Sequence, residues 1–243
     1  MEDLDEKSRD DSPKLALVYQ DEDIVVVNKP AGMIAHKAES FRGPDVCAEL
    51  AALGVEINTS GDKWRQGVVS RLDVGTTGLM VLAKNEDTFQ KLKGMFSAHE
   101  VEKEYLALVH GILNKKRAKI NAPIGRHPNN RLKFAVVDDG KTAVTRYEVD
   151  EEFEHGGKQY SLLRVHPETG RTHQIRVHFS ALKHPLVGDT VYGRAHETFG
   201  LQRPFLHARR LAFEHPTTHE RLTFEAVLNE DLLTTLHILH NVT

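Results

Sequence analysis

Leu79-Met80-Val81-Leu82-Ala83 is an unbroken apolar run that follows two glycines, Gly75 and Gly78. A strand apolar on both faces must be covered on both faces, so the run predicts a buried, central strand. Just before the glycines stands Arg71-Leu72-Asp73. If that segment is extended, Arg71 and Asp73 point to the same side. A carboxylate at the end of a buried strand needs a charged or hydrogen-bonding partner. The stretch therefore predicts a sheet interior with an arginine and an acid at its rim.

The second unusual segment is Gly170-Arg171-Thr172-His173-Gln174-Ile175-Arg176-Val177-His178. Arg171 and Arg176 are able to hold phosphates or a carboxylate by bidentate bonds. Arg176 is a candidate partner for Asp73, an arrangement that suits a nucleophilic carboxylate kept ionised by an arginine. Plainer readings stand beside this one. An aspartate before a glycine turn is often only a turn former. Thr172 reads equally as a helix cap, and the arginines as surface charge.

The bulk numbers narrow the class. A chain of 243 residues buries a full core, and 40% hydrophobic with 28% charged residues is ordinary for a globular protein. No stretch reaches the roughly 18 to 20 apolar residues of a membrane span. The acidic N-terminus lacks the apolar core of a secretory signal. Cys47 stands alone, which excludes an internal disulfide and a cysteine-based zinc site. A cytoplasmic location without membrane contact is the expectation.

Charge is unevenly spread. The formal net charge is −3, yet residues 1–23 hold nine acids against three bases, so the rest is net positive. Residues 111–137 hold seven bases and no acid: Lys115, Lys116, Arg117, Lys119, Arg126, Arg131 and Lys133. Such a run suits a phosphate backbone, and equally a solvated loop.

Along the chain, 1–13 reads as a disordered acidic tail and 14–243 as a single domain. Strands are expected at 15–19, 24–28, 79–83, 104–109, 141–149, 159–166, 206–214 and 222–227, with the turn between the fifth and sixth at 151–157. The basic run reads as a hairpin-like excursion, and 55–66 as a polar loop. Helices are expected at 44–53, with Val46, Leu50 and Leu53 on one face, and after Asn85 or Asp87, with Phe89, Leu92 and Phe96 inward. Two more are expected at 172–182 and 231–240. This is an α+β pattern with a largely antiparallel sheet.

Other chemistries fail on spacing. His173 and His178 are five apart and do not share a helical face as an i, i+4 pair would, and no His-Glu-x-x-His exists. Gly140-Lys141-Thr142 lacks the earlier glycine of a phosphate-binding loop, since position 135 is alanine. No Gly-x-Ser-x-Gly nucleophile elbow occurs.

Five segments in order carry a resemblance: Val26-Val27-Asn28-Lys29-Pro30-Ala31-Gly32-Met33; Ser70 through Leu79; Lys103-Glu104-Tyr105; Gly170 through His178 with His184-Pro185-Leu186-Val187-Gly188-Asp189 and Tyr192-Gly193; and Leu206-His207-Ala208. Together they resemble the RNA pseudouridine synthases of the RluA-like and RsuA-like group, over about Leu15 to Leu228. The resemblance implies the pseudouridine synthase fold, an antiparallel central sheet with flanking helices and a central RNA-binding cleft. It implies Asp73 as catalytic carboxylate, Tyr105 as the aromatic that stacks on the target base, and Arg176 as the partner of Asp73. It also implies Arg71 in the RNA stack, filling the gap left by a flipped nucleotide. Arg171 and His173, with Lys115, Lys116, Arg117 and Arg131, complete the expected RNA contacts.

The reaction so implied uses no cofactor and no metal. The N1 glycosidic bond of uridine breaks, the base turns, and C5 bonds to C1′. The carboxylate starts it by attack at C1′ or C6, or by promoting proton loss at C2′, and sequence does not choose among these. Ribosomal RNA of the large subunit is the first expected substrate, tRNA the second, and a monomer the expected state. Two departures from the family pattern stand out. Ser70 occupies the position before Arg-Leu-Asp where histidine is usual. Too few residues precede the first family strand for an S4-type RNA-binding domain, so the basic run is the expected selector of RNA. The competing readings are a non-catalytic RNA-binding protein that kept the fold, which the intact Asp73, Tyr105 and Arg176 disfavour, and a hydrolase, which would want a second acid.

Overall fold

The computed structural model describes residues 14–37, 41–58, 66–193 and 197–241. The chain runs through β1 (Ala16–Gln20), β2 (Ile24–Lys29), α1 (Val46–Ala52), β3 (Thr77–Ala83), α2 (Glu86–Ser97), β4 (Glu102–His110) and β5 (Arg117–Asn121). It continues through β6 (Ile124–His127), β7 (Asn130–Val136), β8 (Val144–His155), β9 (Lys158–Pro167), α3 (Gln174–Ala181), β10 (Leu206–Glu214), β11 (Arg221–Glu225) and α4 (Glu230–His240). The expected acidic tail at 1–13 and residues 59–65 of the expected loop lie outside the described residues.

One mixed sheet has the order β1-β2-β3-β10-β4-β9-β8-β5, with β11 beside β10, and β6 and β7 form a separate hairpin. The pairings are antiparallel except β3 with β10. The α+β, mostly antiparallel expectation holds. Among the described residues no helix is long and apolar enough to cross a membrane.

Strand alternation builds both cores. Val25 and Val27 of β2 pack with Met80 and Leu82 of β3 and with Val46 and Leu50 of α1. Ile24, Val26, Leu79 and Val81 point the other way, onto Leu92 of α2. All seven residues of β3 are buried, as an apolar central strand requires. Each such Val, Leu or Ile contributes about 1.5–3 kcal/mol by leaving water. Asp45 and Asn85 cap α1 and α2 by accepting the Ala48 and Thr88 amides. In the other half, Ala107 and Val109 of β4 meet Ile175 and Phe179 of α3. Leu108 faces the opposite way, in a cluster with Leu232 and Leu236 of α4.

Three local expectations change. Leu53 is the C-cap of α1 and 57% exposed, because the helix ends before it completes the inward face. β8 runs on through Glu151–Glu154, and the hairpin turns only at Gly156 and Gly157, both with positive φ. Acidic side chains suit the solvent face of a strand, so polarity did not mark a turn there. At α3, Thr172 is not the cap; His173 holds that position in the left-handed region, without a capping side-chain bond.

The parallel junction positions the site. His207 lies opposite Thr77 and Ala208 opposite Gly78. Gly78 has φ +114, and a β-carbon there would stand 2.3 Å from the Ala208 carbonyl oxygen, so only glycine fits. On its other side Ala208 faces Tyr105 of β4. One residue of β10 therefore separates the mouth of β3, where Asp73 stands, from Tyr105.

Candidate active site

The backbone around Asp73 is pinned from three directions. Its carbonyl accepts the Thr76 amide at 3.0 Å, closing a turn. The Val74 carbonyl accepts the Gly32 amide at 2.8 Å. The Gly75 carbonyl accepts Nη1 of Arg203 at 3.3 Å, while Nε and Nη2 of Arg203 bind Asp231 of α4. Lys29 is wholly buried, with Nζ donating to the Pro30 and Met33 carbonyls at 2.8 Å. Burial pushes its ammonium down to about 7, against the attraction of Asp73.

From the other segment, Gln174 ties the start of α3 to β8. Its Oε1 accepts from Thr169 Oγ1 and the Arg171 amide, and its Nε2 donates to Val144 O and Thr145 Oγ1. Two residues on, Arg176 is buried beneath the cleft. It grips Asp189 with Nε and Nη2 at 2.7 and 3.0 Å and reaches Asp73 Oδ2 with Nη1 at 3.3 Å. The Asp73 side chain is 22% exposed. Among the described residues no hydrogen bond is made to its Oδ1. Asp189 is held in turn by the Val191 and Tyr192 amides.

His173 completes the setting. Its Nδ1 lies 3.0 Å from Tyr192 Oη, and its Nε2 lies 3.9 Å from Asp73 Oδ2. Tyr192 Oη accepts the Phe134 amide from β7, and Asp73 Oδ2 on the far side of the ring only accepts, so the arrangement that serves both contacts has the Tyr192 proton on the Nδ1 side. That leaves the imidazole proton on Nε2, the nitrogen nearest Asp73. Burial lowers the His173 pKa, with Asp73 opposing, which favours this neutral form.

These groups meet in a cleft of about 590 Å³. Asp73, Tyr105, Arg176, Arg71, Arg171 and His173 all line it. Arg71 Nη2 donates to Thr172 Oγ1 at 2.7 Å and so ties the two segments together. Tyr105 packs against the clusters under both α1 and α3. Burial, then the charge of Asp73, raises its pKa, so its hydroxyl keeps its proton at neutral pH.

The basic run is placed differently. Lys115, Lys116 and Arg117 do not line this cleft. Lys116 pairs with Glu152, Arg117 with Glu148, and Lys119 with Glu168. The run has no acid of its own, but β8 and the end of β9 supply them. The backbone of Arg131 lies in β7; its side chain is outside the described residues. Sequence reading assigned no role to Asp189, Tyr192, Lys29 or Arg203. The first three lay inside quoted motifs, so position was the available signal; for Arg203 only its place shortly before Leu206-His207-Ala208 pointed to it.

The cleft thus brings one carboxylate, its arginine and an aromatic side chain together at the junction of β3, β10 and β4. Comparison with known proteins gives the class. A family model described as RNA pseudouridylate synthase matches residues 23–181. An uncharacterised RNA pseudouridine synthase of Mycobacterium tuberculosis is 46% identical over 93% of this chain and 73% of that protein. Ribosomal large subunit pseudouridine synthase D of Pseudomonas aeruginosa is 42% identical over 93% of this chain and 72% of that protein. The solved structure of human RNA Pseudouridylate Synthase Domain Containing 1 superposes with a TM-score of 0.71 at 25% identity, covering 95% of this chain and 96% of that one. The chain belongs to the RNA pseudouridylate synthase family, and it is an RNA pseudouridine synthase, an isomerase.

Proposed function

We propose that this chain isomerises uridine in large-subunit ribosomal RNA, with Asp73 as the carboxylate that starts the reaction. The observation that carries the reading is the shared cleft: Asp73, held on Oδ2 by Arg176, lines the same space as Tyr105. The relatives named as large-subunit synthases support the choice of RNA.

The chemistry follows from these groups. The target base leaves its stack, at a cost of a few kcal/mol, and lies against the Tyr105 ring. Arg71, exposed at the cleft mouth beside Thr172, takes the place left in the stack. Arg171 and His173 contact the strand beside it. Arg176 fixes the direction of the Asp73 carboxylate through the Nη1–Oδ2 bond. The N1–C1′ bond breaks and the C5–C1′ bond forms. C5 loses its proton and N1 gains one, so the product is an isomer.

The direct test is tritium release from RNA labelled at uridine C5. Wild type releases tritium and Asp73→Asn does not, while both bind RNA alike. Equal release by the two proteins removes Asp73 from the chemistry.

A further inference from the structure

We propose that the α2–β4 side of the cleft is a subsite for the nucleotide next to the target uridine, with Phe96 taking its base and Lys93, His99 and Lys103 its phosphates. This rests on the reading of the cleft as the uridine site and adds a second nucleotide position to it.

Lys93, Phe96 and His99, from the end of α2, and Lys103, from β4, line the same cleft as Asp73 and Tyr105. Arg71 and Arg171 line it too, from the two motif segments that carry Asp73 and Arg176. A strand crossing the cleft thus meets cations beyond the flipped nucleotide as well as beside it. Phe96 is only partly buried, packed against the core beneath α2. Lys103 Nζ lies 5.7 Å from its ring centroid. A cation beside an aromatic face is the combination that single-stranded nucleic acid sites use, since every base has a face to stack.

His99 is presented at a cost. It has φ 62 and closes α2 in a turn where the Glu100 amide reaches Met95 O at 3.0 Å and the His99 amide reaches Phe96 O at 3.4 Å. Glycine is the usual residue there. The imidazole instead lines the cleft.

These side chains are also unengaged. Among the described residues Lys93 and His99 make no side-chain hydrogen bond or ion pair, and Lys103 has only the Phe96 ring. Of the two acids flanking Lys103, Glu102 is taken by Arg210 and Arg221, and Glu104 lies beside His166 and Arg209. Lys116, Arg117 and Lys119 differ, because a phosphate on them must displace Glu152, Glu148 or Glu168. Release of counterions to a phosphate is therefore larger in the cleft.

The test is anisotropy of a fluorescein-labelled oligouridylate of about twelve nucleotides, titrated across salt concentrations. Each lost phosphate contact lowers the salt slope by about 0.7, so Lys93→Gln with Lys103→Gln lowers it by about 1.4. Phe96→Leu weakens binding about tenfold with the slope unchanged. Lys116→Gln with Arg117→Gln leaves the slope as in wild type, the opposite of what the basic run predicts from sequence. Lys93→Glu, on an exposed side chain, keeps the test independent of folding. Wild-type slopes in Lys93→Glu and in the double variant overturn the subsite. Tritium release is measured alongside with Asp73→Asn. Loss of release there with wild-type slopes in the cleft variants sinks the subsite alone; full release there sinks the uridine-site reading and the subsite with it.

Discussion

Arg176 gives Nε and Nη2 to Asp189 and keeps only Nη1, at a longer 3.3 Å, for Asp73. The buried bidentate pair is therefore structural, and on the proposed reading the part-buried single bond to Asp73 is the working one. Removing either acid should lower turnover, but only the loss of Asp189 should also lower stability. Asp189→Asn leaves a buried guanidinium without its counter-charge, which costs about 3–5 kcal/mol of stability. It also frees Arg176 to swing from Asp73, so kcat falls by at least about a hundredfold. Asp73→Asn should melt close to wild type while losing turnover. Thermal melts and tritium release on both proteins check this; a stable, active Asp189→Asn would mean that Arg176 is fixed by something else.

Tyr192 joins the β6–β7 hairpin to the catalytic cleft. Its hydroxyl accepts the Phe134 amide and donates to His173, and Arg176 lies 5.1 Å from its ring centroid. Tyr192→Phe keeps the ring and deletes both bonds. Of the two, the bond to His173 bears on the cleft, and its loss, about 1–1.5 kcal/mol, predicts roughly a tenfold fall in kcat, with KM little changed. The His173 tautomer is then unfixed, and nitrogen NMR of the imidazole should report a mixture where wild type gives the Nε2–H form. A single unchanged tautomer would remove Tyr192 from this role.

Much of this was legible because apolar runs and glycines speak locally. Leu79–Ala83 and Leu206–Glu214 declared strands by composition alone, and β10 begins and ends where that pattern does. Motif order put Asp73, Tyr105 and Arg176 forward together, and the fold brings the three to one cleft. What stayed hidden depends on pairing across the sheet. Nothing in the string places Glu148 beside Arg117, yet that register turns a basic run into a ladder of ion pairs. Asp189 was hidden for the same reason: its partner lies thirteen residues back, and only the α3 geometry makes the pair bidentate. Gly156 and Gly157 were the true turn, but the acids before them resembled a loop.

Arg203 couples the last helix to the Asp73 turn. Two nitrogens hold Asp231 at the start of α4 and the third holds the Gly75 carbonyl. Arg203→Lys keeps the charge but cannot make all three bonds. Loss of the Gly75 bond should lower kcat about tenfold without raising KM, since the turn shifts and the RNA contacts do not. Asp231→Asn, whose carboxylate is 44% exposed, should cost less. A rise in KM with unchanged kcat in Arg203→Lys would assign it to RNA binding instead.

His207 makes the fold acid-sensitive. It is fully buried at the β3–β10 junction, with Nε2 facing the Ala226 carbonyl and Nδ1 facing Thr77 Oγ1. The carbonyl only accepts, so Nε2 carries the proton and Nδ1 accepts from threonine: the neutral ring satisfies both bonds. Burial lowers its pKa to about 4, whereas an unfolded histidine titrates near about 6.5. Between those values the unfolded chain binds a proton that the native one refuses. Stability is therefore full above the upper value and falls as pH drops through the window, by up to about 3 kcal/mol at the bottom. His178, bonded to Thr145 and Ala122 and also lowered by burial, adds in the same direction. Urea midpoints measured from about pH 7 down to about pH 5 should fall steadily, and His207→Gln, which cannot titrate, should flatten that fall. An equally steep fall in His207→Gln would trace the acid sensitivity to other groups.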